Sequence, residues 1–163
     1  MKILYVIIMM LFLGMVSCSE DNLEGCSSSN CIQFDKLSKD STVFSFAYDE
    51  TLESGTVALK LVMISPLVDR DRKYNVKFLQ DESSAQAGVD FEMPAEEQVI
   101  AANDSVAYLN VIVKRNKALK GSAIAVFEVQ VSDDFMPGIE ANRKGRIFIT
   151  NQLTRPGWWN DWH

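Results

Sequence analysis

Seven segments between residues 42 and 150 alternate apolar and polar residues, and short turn-rich stretches separate them. A period of two places every second side chain on one face, which is typical of a half-buried β-strand. After the first 17 residues, no segment shows the period of an amphipathic helix. Strands are predicted at residues 42–48, 56–63, 73–78, 98–101, 106–113, 123–131 and 145–150. This spacing predicts an all-β fold, an antiparallel sandwich of about seven strands.

The first 17 residues are typical of a bacterial export signal. Lys2 precedes an unbroken apolar run at residues 3–13, and smaller residues lead to Cys18. The run is about half as long as the roughly twenty residues that a membrane-spanning helix needs. Val16-Ser17-Cys18 resembles the lipobox of bacterial lipoproteins, which implies cleavage before Cys18 and attachment of palmitate-type acyl chains to it. The alternative is an ordinary secretory leader that releases a soluble periplasmic protein.

The segment after the leader is predicted to be a lipidated tether. Residues 18–31 are polar and turn-rich, with no period that could bury a face. Ser19-Glu20-Asp21-Asn22 resembles the surface-export signal of certain lipoproteins of Gram-negative gut anaerobes. The resemblance implies a lipid anchor in the outer membrane, with the domain on the cell surface. An ordinary solvated linker is the alternative.

Charge and cysteine content exclude several kinds of partner. The chain has 22 Asp and Glu against 16 Lys and Arg, a net charge of −6, so nucleic acid is not expected as a partner. Cys26 and Cys31 could form a disulfide in an oxidising compartment, and free thiols are the alternative. The only histidine is the distant His163, so a Cys and His zinc site is not expected. No cofactor is predicted.

A short motif links the chain to known sandwiches. Residues 85–91 contain Ala, two residues, Gly, any residue, Asp and an aromatic residue, which resembles the signature of Calx-beta domains. With a turn before residues 106–113 and the sequence Leu-Thr-Arg-Pro-Gly-Trp-Trp at residues 153–159, the chain resembles a Bacteroides-type surface lipoprotein family encoded beside starch-utilisation-type uptake systems. The resemblance covers residues 32–159 and implies an immunoglobulin-like sandwich on the cell surface.

The three distinctive residues of the motif have structural roles in this interpretation. Gly88 can adopt a positive φ in a tight turn. Asp90 can cap that turn through side-chain hydrogen bonds. Phe91 can fill the core.

Calx-beta domains of exchangers bind calcium through clustered carboxylates, so the resemblance makes the acidic loops a candidate metal site. Calcium needs six to eight oxygen ligands. Arg70 and Arg72 alternate with two of the acidic residues and would offset their charge, and the spacing matches no known calcium loop. Solvated loops are the preferred interpretation, and no metal site is predicted. The acidic residues in question are Asp69, Asp71, Asp81, Glu82, Asp133 and Asp134.

The Trp-rich tail, residues 152–163, contains the candidate glycan contacts Trp158, Trp159 and Trp162. Flat aromatic faces stack on sugar rings, and the neighbouring Asn160 and Asp161 could bind hydroxyl groups. Two alternatives are that the tail packs on the rim of the sandwich, or that it is a remnant of a longer protein. The second arises because members of the resembled family continue past the tryptophan pair.

The predicted domain, residues 32–151, contains no nucleophile elbow and no histidine for a triad, so no catalytic residue is predicted. The preferred hypothesis is a non-enzymatic surface lipoprotein that is an accessory or glycan-binding component of an outer-membrane polysaccharide-uptake system. Its expected partners are the membrane lipid, polysaccharide and uptake-system proteins. The alternative is a structural or adhesive spacer that binds other proteins through an exposed edge strand.

Overall fold

The computed structural model describes residues 30–35 and 42–153, which form nine β-strands, three 3₁₀ turns and no α-helix. Within these residues, no helical segment is long or apolar enough to cross a bilayer. The turns span Phe46–Tyr48, Gln80–Glu82 and Glu140–Asn142. The strands are β1 (Cys31–Phe34), β2 (Thr42–Ser45), β3 (Ser54–Ile64), β4 (Arg72–Phe78), β5 (Glu97–Ile100), β6 (Val106–Lys114), β7 (Ser122–Gln130), β8 (Met136–Pro137) and β9 (Lys144–Thr150).

Two sheets pack face to face as a sandwich. One has four strands in the order β6-β3-β1-β8, and the other has five in the order β2-β9-β7-β4-β5. Strands that are adjacent in sequence therefore often lie in different sheets, as in the Greek-key connections of immunoglobulin-like domains. The prediction of an all-β sandwich is confirmed, and each of the seven predicted strands is present.

The structure differs from the prediction in two respects, which concern β1, β2, β8 and β9. β1 and β8 were not predicted, because the sequence of β1, with two apolar residues before its one polar residue, does not alternate, and β8 has only two residues. The pairs β1–β8 and β2–β9 are parallel, whereas a fully antiparallel sandwich was expected. A hairpin forces its two strands to be antiparallel, but each of these pairs joins distant parts of the chain, so no hairpin sets their direction.

The strand predicted at residues 42–48 is shorter than its alternation suggests. β2 ends at Ser45, and the 3₁₀ turn Phe46–Tyr48 follows. The backbone N–H of Ala47 donates to Ser45 Oγ at 3.2 Å, so a side-chain hydrogen bond replaces a ladder hydrogen bond at this point. Phe46 is still fully buried, but Tyr48, predicted on the same face, is 70% exposed.

The core lies between the sheets and is filled by the inward positions of β3, β6, β4, β7 and β9. The alternation predicted for β3 is confirmed, since Val57, Leu59 and Leu61 are buried. Phe91 comes from a loop and is fully buried between two other rings, with centroids 4.9 Å from Phe78 and 5.7 Å from Phe127. Burial of one such side chain stabilises the fold by about 1.5–3 kcal/mol.

Candidate functional site

The loop of residues 85–91, called here the signature corner, is organised around a buried carboxylate. Asp90 is 3% exposed. Its Oδ2 accepts a hydrogen bond from the backbone N–H of Gln86, and its Oδ1 accepts one from Asn116 Nδ2, both at 2.8 Å. Gly88 has φ +83°, in the region that favours glycine. The predicted turn glycine, turn cap and core aromatic at residues 88, 90 and 91 are therefore all confirmed.

The signature corner and the residue that follows it, Glu92, also cover part of an edge strand. The N–H of Glu92 donates to the carbonyl of Ile112 at 2.8 Å, and the N–H of Lys114 donates to the carbonyl of Asp90 at the same distance. β6 is the outer strand of its sheet, so these bonds pair backbone groups that would otherwise face solvent. The roles of this loop are structural.

The acidic loop residues do not form one cluster. Asp69 and Asp71 precede β4, and Asp133 and Asp134 lie close to the same end, because Asp134 Oδ2 accepts from the N–H of Lys73 at 2.8 Å. Asp81 and Glu82 follow the other end of β4. A strand of seven residues separates the two groups by about 20 Å. The described residues contain no group of three or more His, Cys, Asp or Glu side chains that could hold a metal ion.

Most of these carboxylates bind groups of the same chain. Asp134 forms a salt bridge with Arg70, and the hydrogen bond from Arg70 lowers the pKa of Asp134 below its usual value. Asp71 Oδ1 accepts from the N–H of Ala102 at 3.0 Å. Glu82 pairs with Lys144. These contacts make the loops part of the scaffold.

Arg72 was predicted to lie in a charged loop, but it is the first residue of β4 and is 3% exposed. Its guanidinium donates to Ser65 Oγ at 2.9 Å and to the carbonyl of Asp104 at 2.8 Å, and it lies 5.0 Å from the centre of the Phe135 ring. Arg72 and the buried Tyr74 are two residues apart, so their side chains lie on the same face of β4. This spacing is the signal in the sequence that places Arg72 inside.

A surface groove of about 250 Å³ lies where the chain leaves β9. We call it the C-terminal groove. Its floor follows cross-strand pairs on the outer face of the five-stranded sheet, with Val43 beside Phe148 and Ser122 beside Thr150. Val43 is 49% exposed and Phe148 is half-buried. The groove is lined by Val43, Gly121, Ser122, Phe148, Thr150, Gln152 and Leu153.

Hydrogen bonds hold the wall of this groove in place. Ser45 Oγ donates to the carbonyl of Gln152 at 2.6 Å, and the N–H of Gln152 donates to Thr150 Oγ1 at 3.1 Å. Thr150 Oγ1 in turn donates to the carbonyl of Gly121 at 2.8 Å. The backbone of the wall is thus fixed. In contrast, the Ser122 hydroxyl and the Gln152 amide group form no hydrogen bond within residues 30–35 and 42–153.

The groove combines exposed apolar surface with free polar groups. Leu153 is 71% exposed. Binding sites for small ligands are typically concave and apolar with a few hydrogen-bonding groups. Sequence reasoning did not identify the groove, because its residues come from three strands and a turn that are far apart in the sequence.

The predicted site residues lie mostly beyond the part of the chain that the structure describes. This holds for Cys18, Cys26, Trp158, Trp159 and Trp162. Cys31 is the first residue of β1, is fully buried and is disulfide-bonded. Its partner lies outside the described residues, so the Cys26–Cys31 pairing stays a prediction.

The sandwich resembles Calx-beta domains in its fold. A crystal structure of the apo form of the Calx CBD1 domain matches with a TM-score of 0.57 at 9% identity, covering 77% of this chain and 100% of that one. At this identity the likeness concerns the fold. The chain belongs to the family described as Domain of unknown function (DUF4843), whose model matches residues 26–163.

Two Bacteroides proteins share the fold. A "putative carbohydrate binding protein" from Bacteroides ovatus matches with a TM-score of 0.50 at 12% identity, covering 76% of this chain and 37% of that one. A two-domain protein of unknown function from Bacteroides fragilis matches with a TM-score of 0.53 at 8% identity, covering 76% of this chain and 46% of that one. This chain thus spans less than half of each of those proteins. No curated protein sequence matches the chain.

Proposed function

We propose that this protein is a non-enzymatic, lipid-anchored surface domain that contacts glycan at the C-terminal end of its sandwich. Its context would be an outer-membrane polysaccharide-uptake system, in which it is an accessory component. The observation that carries the proposal is the C-terminal groove, which combines the apolar side chains of Val43, Phe148 and Leu153 with two polar side chains that have no hydrogen-bond partner among the described residues. Leu153 forms part of the groove, and Trp158 follows it by only five residues.

The chemistry of the groove suits a sugar. A sugar ring presents C–H groups on its faces and hydroxyl groups around its edge, so it needs an apolar surface and hydrogen-bonding partners together. Phe148 supplies an aromatic surface, while Ser122 and Gln152 supply a hydroxyl and an amide. Trp158 is five residues after Leu153, a span of at most about 18 Å, so it would extend the aromatic surface, and Trp159 and Trp162 follow it in the chain.

The assignment as a non-enzyme has independent support. The carboxylates of Asp134, Asp71 and Glu82 are held by groups of the same chain, so they are used in the scaffold. Of the fold neighbours named above, one is described as a "putative carbohydrate binding protein" and none is described as an enzyme.

Native electrophoresis of the full chain through gels that contain individual polysaccharides tests the glycan contact. We expect retardation by at least one polysaccharide, and Phe148→Ala together with Gln152→Ala should reduce it. Ile112→Ala, which alters a 40% exposed side chain on the opposite sheet, is the matched control. Unchanged mobility in every gel would refute the glycan contact.

The anchor is tested separately by mass spectrometry of the mature N-terminus from membrane fractions, combined with protease treatment of intact cells. An acylated Cys18 peptide and a cleaved domain are expected. A free N-terminus in the periplasm would remove the lipid anchor and the surface location from the proposal.

A second candidate function is adhesion to another protein through β6. Backbone groups of Ile112 and Lys114 bind the signature corner, but the corresponding groups of Val106, Tyr108 and Asn110 have no partner within the described residues. Tyr108 is 54% exposed beside this free edge. Such an edge can add a strand from a partner. If it does, Tyr108→Lys should abolish protein co-purification and leave polysaccharide retardation unchanged.

A further inference from the structure

Resting on the proposed function, we propose that the C-terminal groove selects glycans that carry carboxylate groups, such as uronic-acid units. The sugar ring lies on Phe148 and its carboxylate binds Arg146. The argument comes from the distribution of unpaired cations over the described surface, which is independent of the shape of the groove.

Most lysine and arginine side chains in the described residues are bound by the protein itself. Five side chains pair with carboxylates in addition to Arg70, namely Lys60, Lys73, Lys114, Lys117 and Lys144. Arg72, Arg115 and Arg143 donate to backbone carbonyls. Within residues 30–35 and 42–153, only Lys77, Lys120 and Arg146 form neither an ion pair nor a side-chain hydrogen bond.

Two of these three free cations border the C-terminal groove. Arg146 lies on β9 two residues before Phe148, on the same outer face, since the intervening Ile147 is buried. Two residues advance a strand by about 6.8 Å, within the reach of an arginine side chain. Lys120 directly precedes Gly121 at the other end of the groove. Lys77 lies apart from the groove, on β4.

The chemistry of these groups fits a carboxylate. Guanidinium binds carboxylate through two parallel hydrogen bonds, which are stronger than those between neutral groups. None of the seven groove residues is charged, so the floor neither repels an anion nor neutralises the two cations. An acidic sugar with its ring on Phe148 would direct its carboxylate towards Arg146, and Lys120 would attract a further acidic unit at the other end of the groove.

The net charge of the chain makes this inference specific. At −6, the protein as a whole repels polyanions. Attraction to an acidic polysaccharide would therefore report a local site and not the overall charge.

The test compares acidic and neutral polysaccharides in affinity electrophoresis of the full chain, purified from membranes in detergent. Polygalacturonate and alginate are the acidic probes, dextran and soluble starch the neutral ones, and dextran sulfate controls for general attraction to polyanions. We expect retardation by a carboxylated polysaccharide and not by dextran sulfate. Arg146→Gln should weaken binding about tenfold or more, the equivalent of one charge-assisted hydrogen bond.

Lys77→Gln is the matched control, because it removes an equally free cation from the same sheet away from the groove. It should retain wild-type binding. Equal losses in Lys77→Gln and Arg146→Gln, or retardation by dextran sulfate as well, would show general electrostatics and overturn the inference. Retardation by neutral polysaccharides alone would also overturn it while leaving the proposed glycan contact standing. Retardation by none of the probes would count against both.

Discussion

The signature corner and the C-terminal groove differ in whether their polar side chains have hydrogen-bond partners among the described residues. At the corner, both oxygens of the Asp90 carboxylate accept hydrogen bonds and the aromatic Phe91 is fully buried. At the groove, Ser122 and Gln152 leave side-chain groups free within the described residues, and Phe148 is only half-buried. A motif that is conspicuous in the sequence is thus used for folding, while the surface suited to a ligand carries no motif.

The largest effect that distinguishes the two regions should come from their aromatic rings. Phe91→Ala is expected to lower the free energy of unfolding by about 3–5 kcal/mol, because it leaves a cavity beside Phe78 and Phe127. Phe148→Ala should cost only about 1 kcal/mol, since solvent already reaches the ring. Urea denaturation of both variants measures the difference. Equal losses would mean that Phe148 belongs to the core and not to a binding surface.

Removal of a polar side chain should give the next largest difference in stability between the two regions. Asp90→Ala leaves the N–H of Gln86 and the amide of Asn116 unpaired, and is expected to cost about 2–3 kcal/mol. Gln152→Ala removes a side chain without a partner in the described structure, and should change stability by less than about 0.5 kcal/mol. The same denaturation experiment applies. A large loss in Gln152→Ala would argue that its amide stabilises the fold.

The two regions each contain one glycine with positive φ, and these should behave alike in stability. Gly88 has φ +83° and Gly121 has φ +99°, and open space surrounds both. Alanine at either position should cost about 1–2 kcal/mol through backbone strain alone. Polysaccharide retardation should separate the variants, because only Gly121 lines the groove. Loss of retardation in Gly88→Ala would contradict the separation of the two regions.

The smallest expected effect is a change in how the stability of the fold depends on pH under acidic conditions. Since the pKa of Asp134 is lowered by its hydrogen bond with Arg70, its contribution to stability is present above the unfolded pKa near 4 and is lost as the pH falls. Arg70→Gln should therefore flatten the dependence of stability on pH below about 5. Arg146→Gln should retain the wild-type dependence, because Arg146 has no carboxylate partner in the described residues. Urea midpoints between pH 3 and pH 6 measure both slopes, and identical slopes in the two variants would show that the Arg70 pair has no special role.

Alternation predicted the sandwich well because burial on one face repeats every second residue. The same rule would have placed Arg72 inside with Tyr74, but the charge of Arg72 led to its prediction as a loop residue. The backbone carbonyls that accept its hydrogen bonds could not be inferred from the sequence. The prediction for Tyr48 was wrong in the opposite direction. Alternation placed its side chain inside, but the strand ends at Ser45, whose side chain forms a local hydrogen bond. The groove required the register of β2, β9 and β7, which depends on pairing between distant segments.

The parallel pairing of β2 with β9 has a mechanical consequence for a domain held at its N-terminal side. Four register pairs, from Thr42 with Ile147 to Ser45 with Thr150, join the two strands. The N-terminal segment enters the fold at β1, in the other sheet, so a pull on it reaches β2 only after β1 has separated from its neighbours. A pull at residue 153 then draws β2 and β9 in opposite directions along their length. The hydrogen bonds between them are then loaded together in shear, whereas a hairpin pulled at its open end would unzip one bond at a time. The β2–β9 pair, which supplies part of the groove, would thus be a second barrier to mechanical unfolding, after the pairing of β1.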